Sequence, residues 1–133
     1  MPFGAEAEEG STRFRLWAPG ARQVTLCLED GSGSRKVAME CEEEGWYRCL
    51  DHASAAGSRY RFQIDGGMIV PDPASRFQPD GVHGASVVIA PLAWQWQDGD
   101  WTGRSLQEAV FYELHVGTFS AAGTYAGVMA GLD

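Results

Sequence analysis

Hydrophobic and polar residues alternate in several short stretches of residues 1–92, and this alternation is the first structural signal in the chain. In the stretch TRFRLWA (residues 12–18), Phe14 and Leu16 fall on one face and arginines fall on the other. That is the period of a half-buried β-strand. The same reasoning predicts strands over residues 24–28, 37–39, 45–50, 59–65, 68–70 and 86–90.

Short strands separated by turn-forming residues favour an all-β fold in which two sheets pack face to face as a β-sandwich. Asp65-Gly66-Gly67 between two of these strands predicts a hairpin, because such turns need residues that accept a positive φ. The expected core consists of the apolar residues on the inward faces of the strands, namely Phe14, Leu16, Leu26, Tyr60, Phe62 and Ile64.

The segment from Pro71 to Gly84, PDPASRFQPDGVHG, interrupts this pattern with three prolines and two glycines. A central strand does not tolerate this composition, so an ordered surface loop is predicted. The carboxylates of Asp72 and Asp80 are expected to accept hydrogen bonds from backbone N–H groups, which favours a loop-stabilising role over metal or sugar binding.

The last part of the chain has a different character. From Val110 to Phe119 apolar residues occupy both faces, which is typical of a strand buried in a parallel sheet. Farther on, apolar residues recur at helical spacing and predict an amphipathic helix. A parallel strand followed by a helix needs a second strand beside the first, and this sequence does not supply one. The predicted organisation is a β-sandwich over 1–92, a tryptophan-rich linker over 93–108, and a strand–helix piece over 109–133.

Charge and composition narrow the function classes. Eighteen acidic and ten basic residues give a net charge of −8, which repels phosphate backbones, so no nucleic-acid partner is predicted. The apolar stretches are shorter than the roughly 20 residues that span a bilayer, and the N-terminus lacks a secretory signal. Three cysteines without C-x-x-C spacing favour a cytoplasmic protein. No membrane association, metal site or cofactor is predicted.

Four segments carry a resemblance to a known family: FRLWAPGARQVTL, YRFQIDG, PDPASRFQPDGVHGAS and YELHVGTFSAAGTYAGVMAGLD, which begin at Phe14, Tyr60, Pro71 and Tyr112. Together they resemble the N-terminal part of the malto-oligosyltrehalose trehalohydrolases, a family of α-amylase-type glycoside hydrolases. The first and last segments are similar to glycogen branching and debranching enzymes as well. The proline-rich loop is the element that points to the trehalohydrolases.

The resemblance implies an immunoglobulin-like sandwich of the early-set type, a linker, and the first strand of a (β/α)₈ barrel. It also implies that the parent enzyme hydrolyses the α-1,4 bond next to the terminal trehalose of a maltooligosyl trehalose. Such retaining enzymes use two carboxyl groups about 5 Å apart. In this family those groups lie on barrel strands that would follow Asp133. The chain alone is therefore expected to contain no catalytic residue and to be inactive, while its parent is an enzyme.

Four aromatic residues and one histidine, in the linker or just after it, are candidates for binding carbohydrate or for packing against the barrel: Trp94, Trp96, Trp101, Tyr112 and His115. Starch-binding members of this module class carry platform tryptophans in two stretches, which read EDGSGSRK and GGMIVPDP in this sequence and contain no aromatic residue. Packing against the barrel is therefore the favoured role. Glu113 and His115, two positions apart on the predicted strand, are expected to form a buried pair at the domain junction.

The proline-rich loop is expected to lie at the interface with the barrel through Pro71, Asp72, Pro73 and Arg76.

Three functional hypotheses remain open. In the first, the chain is a non-catalytic module of a trehalose-releasing hydrolase, and the partners of the module are its own barrel and a maltooligosaccharide-type substrate. In the second, the chain is an autonomous α-glucan-binding module. The third is the same region of a glycogen branching or debranching enzyme.

Overall fold

The computed structural model describes residues 3–30 and 33–132. It divides the chain into two compact units, Met1–Gln95 and Trp96–Asp133. Strands are confined to the first unit within the described residues, and they form two antiparallel sheets.

The first sheet has four strands in the order β1-β2-β6-β5. Their bounds are β1 Gly4–Glu8, β2 Ser11–Trp17, β5 Glu40–Cys41 and β6 Trp46–Asp51. In the second sheet β3 lies between β4 and β7, and both β8 and β9 pair with β7. These strands are β3 Val24–Asp30, β4 Gly33–Ala38, β7 Arg59–Ile64, β8 Ile69–Val70 and β9 Ser86–Val87. The predicted all-β sandwich is confirmed.

The core lies between the two sheets and uses the inward faces that the alternation predicted. Phe14, Leu26 and Phe62 are fully buried, and Tyr60 and Leu16 are buried as well. The ring of Tyr60 packs edge-on against Phe14, with ring centroids 4.9 Å apart, and against Phe62, with centroids 5.7 Å apart. Ile64 of the predicted core is half-buried and packs at the margin of this cluster.

The hairpin between β7 and β8 has the geometry that its sequence predicted. Asp65 and Gly66 have φ values of 51° and 71°, and the Gly67 N–H donates to the Ile64 carbonyl at 2.9 Å. The Asp65 carboxylate also accepts from the backbone N–H groups of Arg22 and Gln23 at 2.8 and 3.0 Å. The stretch EDGSGSRK forms the end of β3 and the beginning of β4, and the residues between these strands, 31–32, lie outside the described part of the chain.

An ion pair connects the two sheets at one edge of the core. Arg35 on β4 donates to both carboxylate oxygens of Asp51 on β6, at 2.7 and 2.8 Å. Asp51 is only 7% exposed. The hydrogen bonds from Arg35 lower the pKa of Asp51 to about 2, against an ordinary value of 3.8.

This ion pair should make unfolding sensitive to acid. A carboxylate whose pKa is lower in the folded state stabilises that state above its unfolded pKa and stops doing so as pH falls through the folded pKa. We expect about 1–2 kcal/mol of stability to disappear between about pH 4 and pH 2. Urea unfolding of the chain and of Asp51→Asn, compared over this range, measures the contribution. The Asn variant should be less stable at pH 7 and should lose less on acidification; equal pH dependence of the two proteins would contradict the assignment.

The second unit contains short helices, of which α1 is Val116–Phe119 and α2 is Tyr125–Met129. The Thr124 hydroxyl caps α2 by accepting from the Gly127 N–H at 3.2 Å, and Val128 is buried. A helix predicted to continue to Asp133 is thus present but ends at Met129: residues 130–132 are not helical, and Asp133 lies outside the described residues. No helix in the described part of the chain is long and apolar enough to cross a membrane.

The strand predicted over Val110–Phe119 is not formed. Residues 110–115 have no regular secondary structure, and the remainder is the helix α1. A strand is stable only when neighbours satisfy its backbone hydrogen bonds, and no described residue of this unit forms a strand that could pair with it. The side chains of Val110 and Phe111, predicted to be buried, are exposed.

Candidate functional site

The aromatic residues predicted as a carbohydrate or barrel interface are exposed. Trp94 follows a short 3-10 helix at the end of the first unit, and Trp96 and Trp101 lie in the second unit. In that unit the ring of Tyr112 packs edge-on against Phe119, with centroids 6.4 Å apart.

His115 of the same set is exposed, as is Glu113. The prediction that they form a buried pair is therefore wrong for this chain. Burial of the pair depended on the strand that is not formed.

The proline-rich loop is tied into the sandwich through Asp72. This residue is 3% exposed. Its Oδ2 accepts from the Tyr60 hydroxyl at 2.6 Å and its Oδ1 from the Ala74 N–H at 2.8 Å, while its own N–H donates to Ser86 Oγ at 3.0 Å. Burial raises the pKa of Asp72 and, together with the neighbouring Asp72 carboxylate, that of Tyr60. The predicted loop-stabilising role of Asp72 is confirmed.

The side chains of Arg76 and Asp80 attach the rest of the loop to the strands. Arg76 donates to the Ala5 carbonyl on β1 at 3.0 Å, and Pro71 is half-buried where the loop begins. Asp80 forms an ion pair with the Arg59 guanidinium of β7, whereas backbone N–H groups were its predicted partners. The loop thereby holds Pro73 and Ala74 in a fixed position beside the four-stranded sheet.

A groove of about 260 Å³ lies where this loop meets the sheet. It brings two of the predicted loop residues together with residues that were not predicted as site residues. Its lining consists of Phe3, Arg15, Leu16, Trp17, Asp72, Pro73 and Ala74.

Trp17 is the most exposed large side chain of this groove, with 58% of its surface accessible. Its indole N–H donates to the Glu44 carbonyl at 3.0 Å. That carbonyl belongs to a tight connection in which Glu44 and Gly45 have φ values of 59° and 80°. The connection between β5 and β6 therefore fixes the orientation of the Trp17 ring.

Trp46 pairs directly with Trp17 across β2 and β6 but has a different environment. The Arg15 guanidinium lies over its ring, 4.6 Å from the centroid, and the ring of Phe3 is 5.2 Å away. Arg15 also donates to the Glu42 carboxylate at 3.3 Å. Cation–π and aromatic contacts thus hold Trp46 and Arg15 in place, and Trp17 presents the open ring.

Sequence reasoning missed Phe3, Trp17 and Trp46 as site residues. The available signal was Trp17 itself, which falls on the polar face of the predicted strand over residues 12–18. A large aromatic residue on a solvent-facing position is informative because burial cannot explain it. Phe3 and Trp46 could be associated with it only through the strand register.

Within residues 3–30 and 33–132, no three side chains of the His, Cys, Asp and Glu types form a group that could hold a metal ion. The cysteines Cys27, Cys41 and Cys49 are free thiols, of which only Cys41 is exposed. Burial raises the pKa of both Cys27 and Cys49, so these two thiols are poor nucleophiles.

Comparison with known proteins relates the chain to enzymes of α-glucan metabolism. A malto-oligosyltrehalose trehalohydrolase of Deinococcus radiodurans is 45% identical over 94% of this chain and 19% of its own length. The corresponding protein of Rhizobium sp. is 41% identical over 97% of this chain and 22% of its own length. A 1,4-alpha-glucan branching enzyme of Bacillus caldolyticus is 28% identical over 88% of the chain. The chain thus spans about a fifth of the length of these curated relatives.

The fold has a similar counterpart among solved structures. The crystal structure of a protein described as an alpha amylase, from Salmonella typhimurium, superposes with a TM-score of 0.87 at 37% identity and covers 97% of this chain and 22% of that one. The model of one domain family matches residues 2–78, which is more than half of the chain. With the two-sheet sandwich described above, this match shows that the chain belongs to the carbohydrate-binding module 48 (isoamylase N-terminal domain) family.

Proposed function

We propose that the chain is the N-terminal, non-catalytic module of a trehalose-releasing glycoside hydrolase. The parent would hydrolyse the α-1,4 bond next to the terminal trehalose of a maltooligosyl trehalose. The observation that carries this proposal is the 41–45% identity, over 94–97% of the chain, to proteins named malto-oligosyltrehalose trehalohydrolase. The branching enzyme is more distant, at 28% identity.

In this proposal the module's partner is a catalytic (β/α)₈ barrel in the same polypeptide. The sandwich occupies residues 1–92, a linker 93–108, and the barrel begins within 109–133. The exposed apolar side chains of Val110 and Phe111 support this arrangement, because they would become buried once neighbouring strands pair with the segment. The exposed Trp94, Trp96, Trp101, Tyr112 and His115 would contribute to the same interface, as would the loop from Pro71 to Arg76.

The proposal places the protein in the cytoplasm and in trehalose biosynthesis, with a maltooligosaccharide-type substrate reached through the parent enzyme. Three free cysteines, two of them buried, suit a reducing compartment.

The first test is the activity of the chain by itself. Incubated with maltooligosyl trehalose, the purified chain should release no trehalose above a buffer blank, because the required pair of carboxyl groups would lie on barrel strands. Chromatographic quantification of trehalose checks this result, with the blank and a heat-treated sample of the chain run in parallel. Trehalose formed in proportion to the amount of chain added would contradict the non-catalytic role.

A second candidate function, an α-glucan-binding module that acts without an attached catalytic domain, is favoured by one observation. The groove at Trp17 is formed entirely within the first unit and needs no other domain to be complete.

A further inference from the structure

The groove beside Trp17 has the features of a sugar-binding site, and we propose that one glucose residue of a malto-oligosaccharide stacks on the Trp17 ring there. The choice of sugar rests on the proposed function; the site itself rests on the geometry of the groove. Three features carry the inference: a fixed aromatic platform, a hydrogen-bond donor beside it, and a space that suits one ring.

The platform is fixed before any ligand binds. The hydrogen bond from the Trp17 indole to the Glu44 carbonyl, at 3.0 Å, orients a ring that is 58% exposed. A pre-oriented ring loses little side-chain entropy when a ligand stacks on it. Trp46 beside it already carries the Arg15 guanidinium over its ring, so Trp17 is the better platform of the two.

A hydrogen-bond donor, the partly exposed Arg15 side chain, lines the same groove. The Arg15 guanidinium has five N–H donors, and it donates to a Glu42 carboxylate oxygen at 3.3 Å. Asp72 also lines the groove but is only 3% exposed, and its carboxylate already accepts from the Tyr60 hydroxyl and the Ala74 N–H. A sugar hydroxyl would therefore accept from Arg15 while the apolar face of the sugar ring stacks on Trp17.

The size of the groove limits what it can hold. At about 260 Å³ it lies below the roughly 300–1,000 Å³ of pockets that enclose drug-sized ligands. It therefore suits one ring, with the remainder of an oligosaccharide in solvent. Weak binding and little discrimination between chain lengths are expected.

The Trp17 groove lies at a different place in the fold from the platform tryptophans described for starch-binding members. The two stretches that correspond to those positions, EDGSGSRK and GGMIVPDP, run along the five-stranded sheet, and only the last residues of the second stretch, Asp72 and Pro73, reach the groove. Trp17 lies on β2 in the four-stranded sheet. The loop from Pro71 brings Pro73 and Ala74 to that sheet and completes the groove.

The experiment is an NMR titration of the uniformly ¹⁵N-labelled chain with maltoheptaose. Each of the five tryptophans contributes one indole N–H signal. We expect the Trp17 indole signal to shift saturably, and nuclear Overhauser contacts to appear between its ring protons and glucose ring protons. These contacts are measured on the unaltered chain, so the result does not depend on a variant folding.

Two variants locate the site. Trp17→Ala should weaken maltoheptaose binding about tenfold or more, which corresponds to about 1.4 kcal/mol. The control Phe77→Ala removes an aromatic side chain that is 51% exposed and does not line the groove, and it should bind like the parent. Absence of a saturable Trp17 shift, or equal affinity of the Trp17→Ala variant, would overturn the proposal. The proposed function would survive such a result, because it is tested by product release.

Discussion

Replacing Phe62 with alanine should lower the free energy of unfolding by about 3–5 kcal/mol. Phe62 is fully buried, its ring packs edge-on against Tyr60, and its backbone pairs with Leu26 on one side and Val70 on the other. Truncation removes its buried surface and leaves a cavity between two sheets that are held in place by their own hydrogen bonds. Against a typical domain stability of about 5–15 kcal/mol, the loss is large.

The measurement is equilibrium urea unfolding followed by circular dichroism at neutral pH. Phe111→Ala is the matched control, because the same side chain is removed from a position that is 80% exposed. The control should change the transition by less than about 0.5 kcal/mol. An unchanged denaturant midpoint for Phe62→Ala would show that Phe62 is not part of the core.

Gly45→Ala is expected to destabilise the chain by roughly 2–6 kcal/mol, from two causes that add. Gly45 has a φ of 80°, which side chains adopt only with strain. A Cβ at this position would also lie 2.5 Å from the Cα of Pro19. The approach is close because the Ala18 N–H donates to the Gly45 carbonyl at 2.9 Å. Neither backbone segment can withdraw without breaking this bond, which also positions Glu44 for Trp17.

Gly57→Ala separates the two causes. Gly57 also has a positive φ, of 94°, but a Cβ there would meet nothing within 4 Å. This variant should show only the cost of the backbone conformation, about 1–3 kcal/mol. Thermal or urea unfolding of the two variants side by side measures the difference, and an equal loss in both would disprove the contribution from the contact with Pro19.

The sequence predicted strands best where large apolar residues alternate with polar ones. The alternations around Phe14, Leu26 and Phe62 each correspond to a strand, and all three residues are fully buried. Strand β1 was missed because GAEAE offers only alanine as an apolar residue. Its place depends on pairing with β2 and on the bond from Arg76 to Ala5, which are long-range contacts that local pattern does not encode.

The segment from Val110 to Phe119 shows the opposite failure. Its apolar residues predicted a strand, yet a strand needs neighbours, and the described residues of its unit provide none.

The groove at Trp17 could not be predicted for a related reason. Its lining combines Phe3, Trp17 and Pro73, which are far apart in sequence and meet only after the strands have paired and Asp72 has fixed the loop. The ring orientation of Trp17 depends in addition on a single backbone carbonyl, that of Glu44.

The most direct test of the proposed function is product analysis of the parent hydrolase that the proposal assigns to this chain. Purified and incubated with maltooligosyl trehalose, that protein should release free trehalose and a shortened malto-oligosaccharide, detected by anion-exchange chromatography. The same protein incubated with amylose should form no α-1,6 branch points. Branch formation without trehalose release would contradict the proposed function and would assign the chain to a branching enzyme.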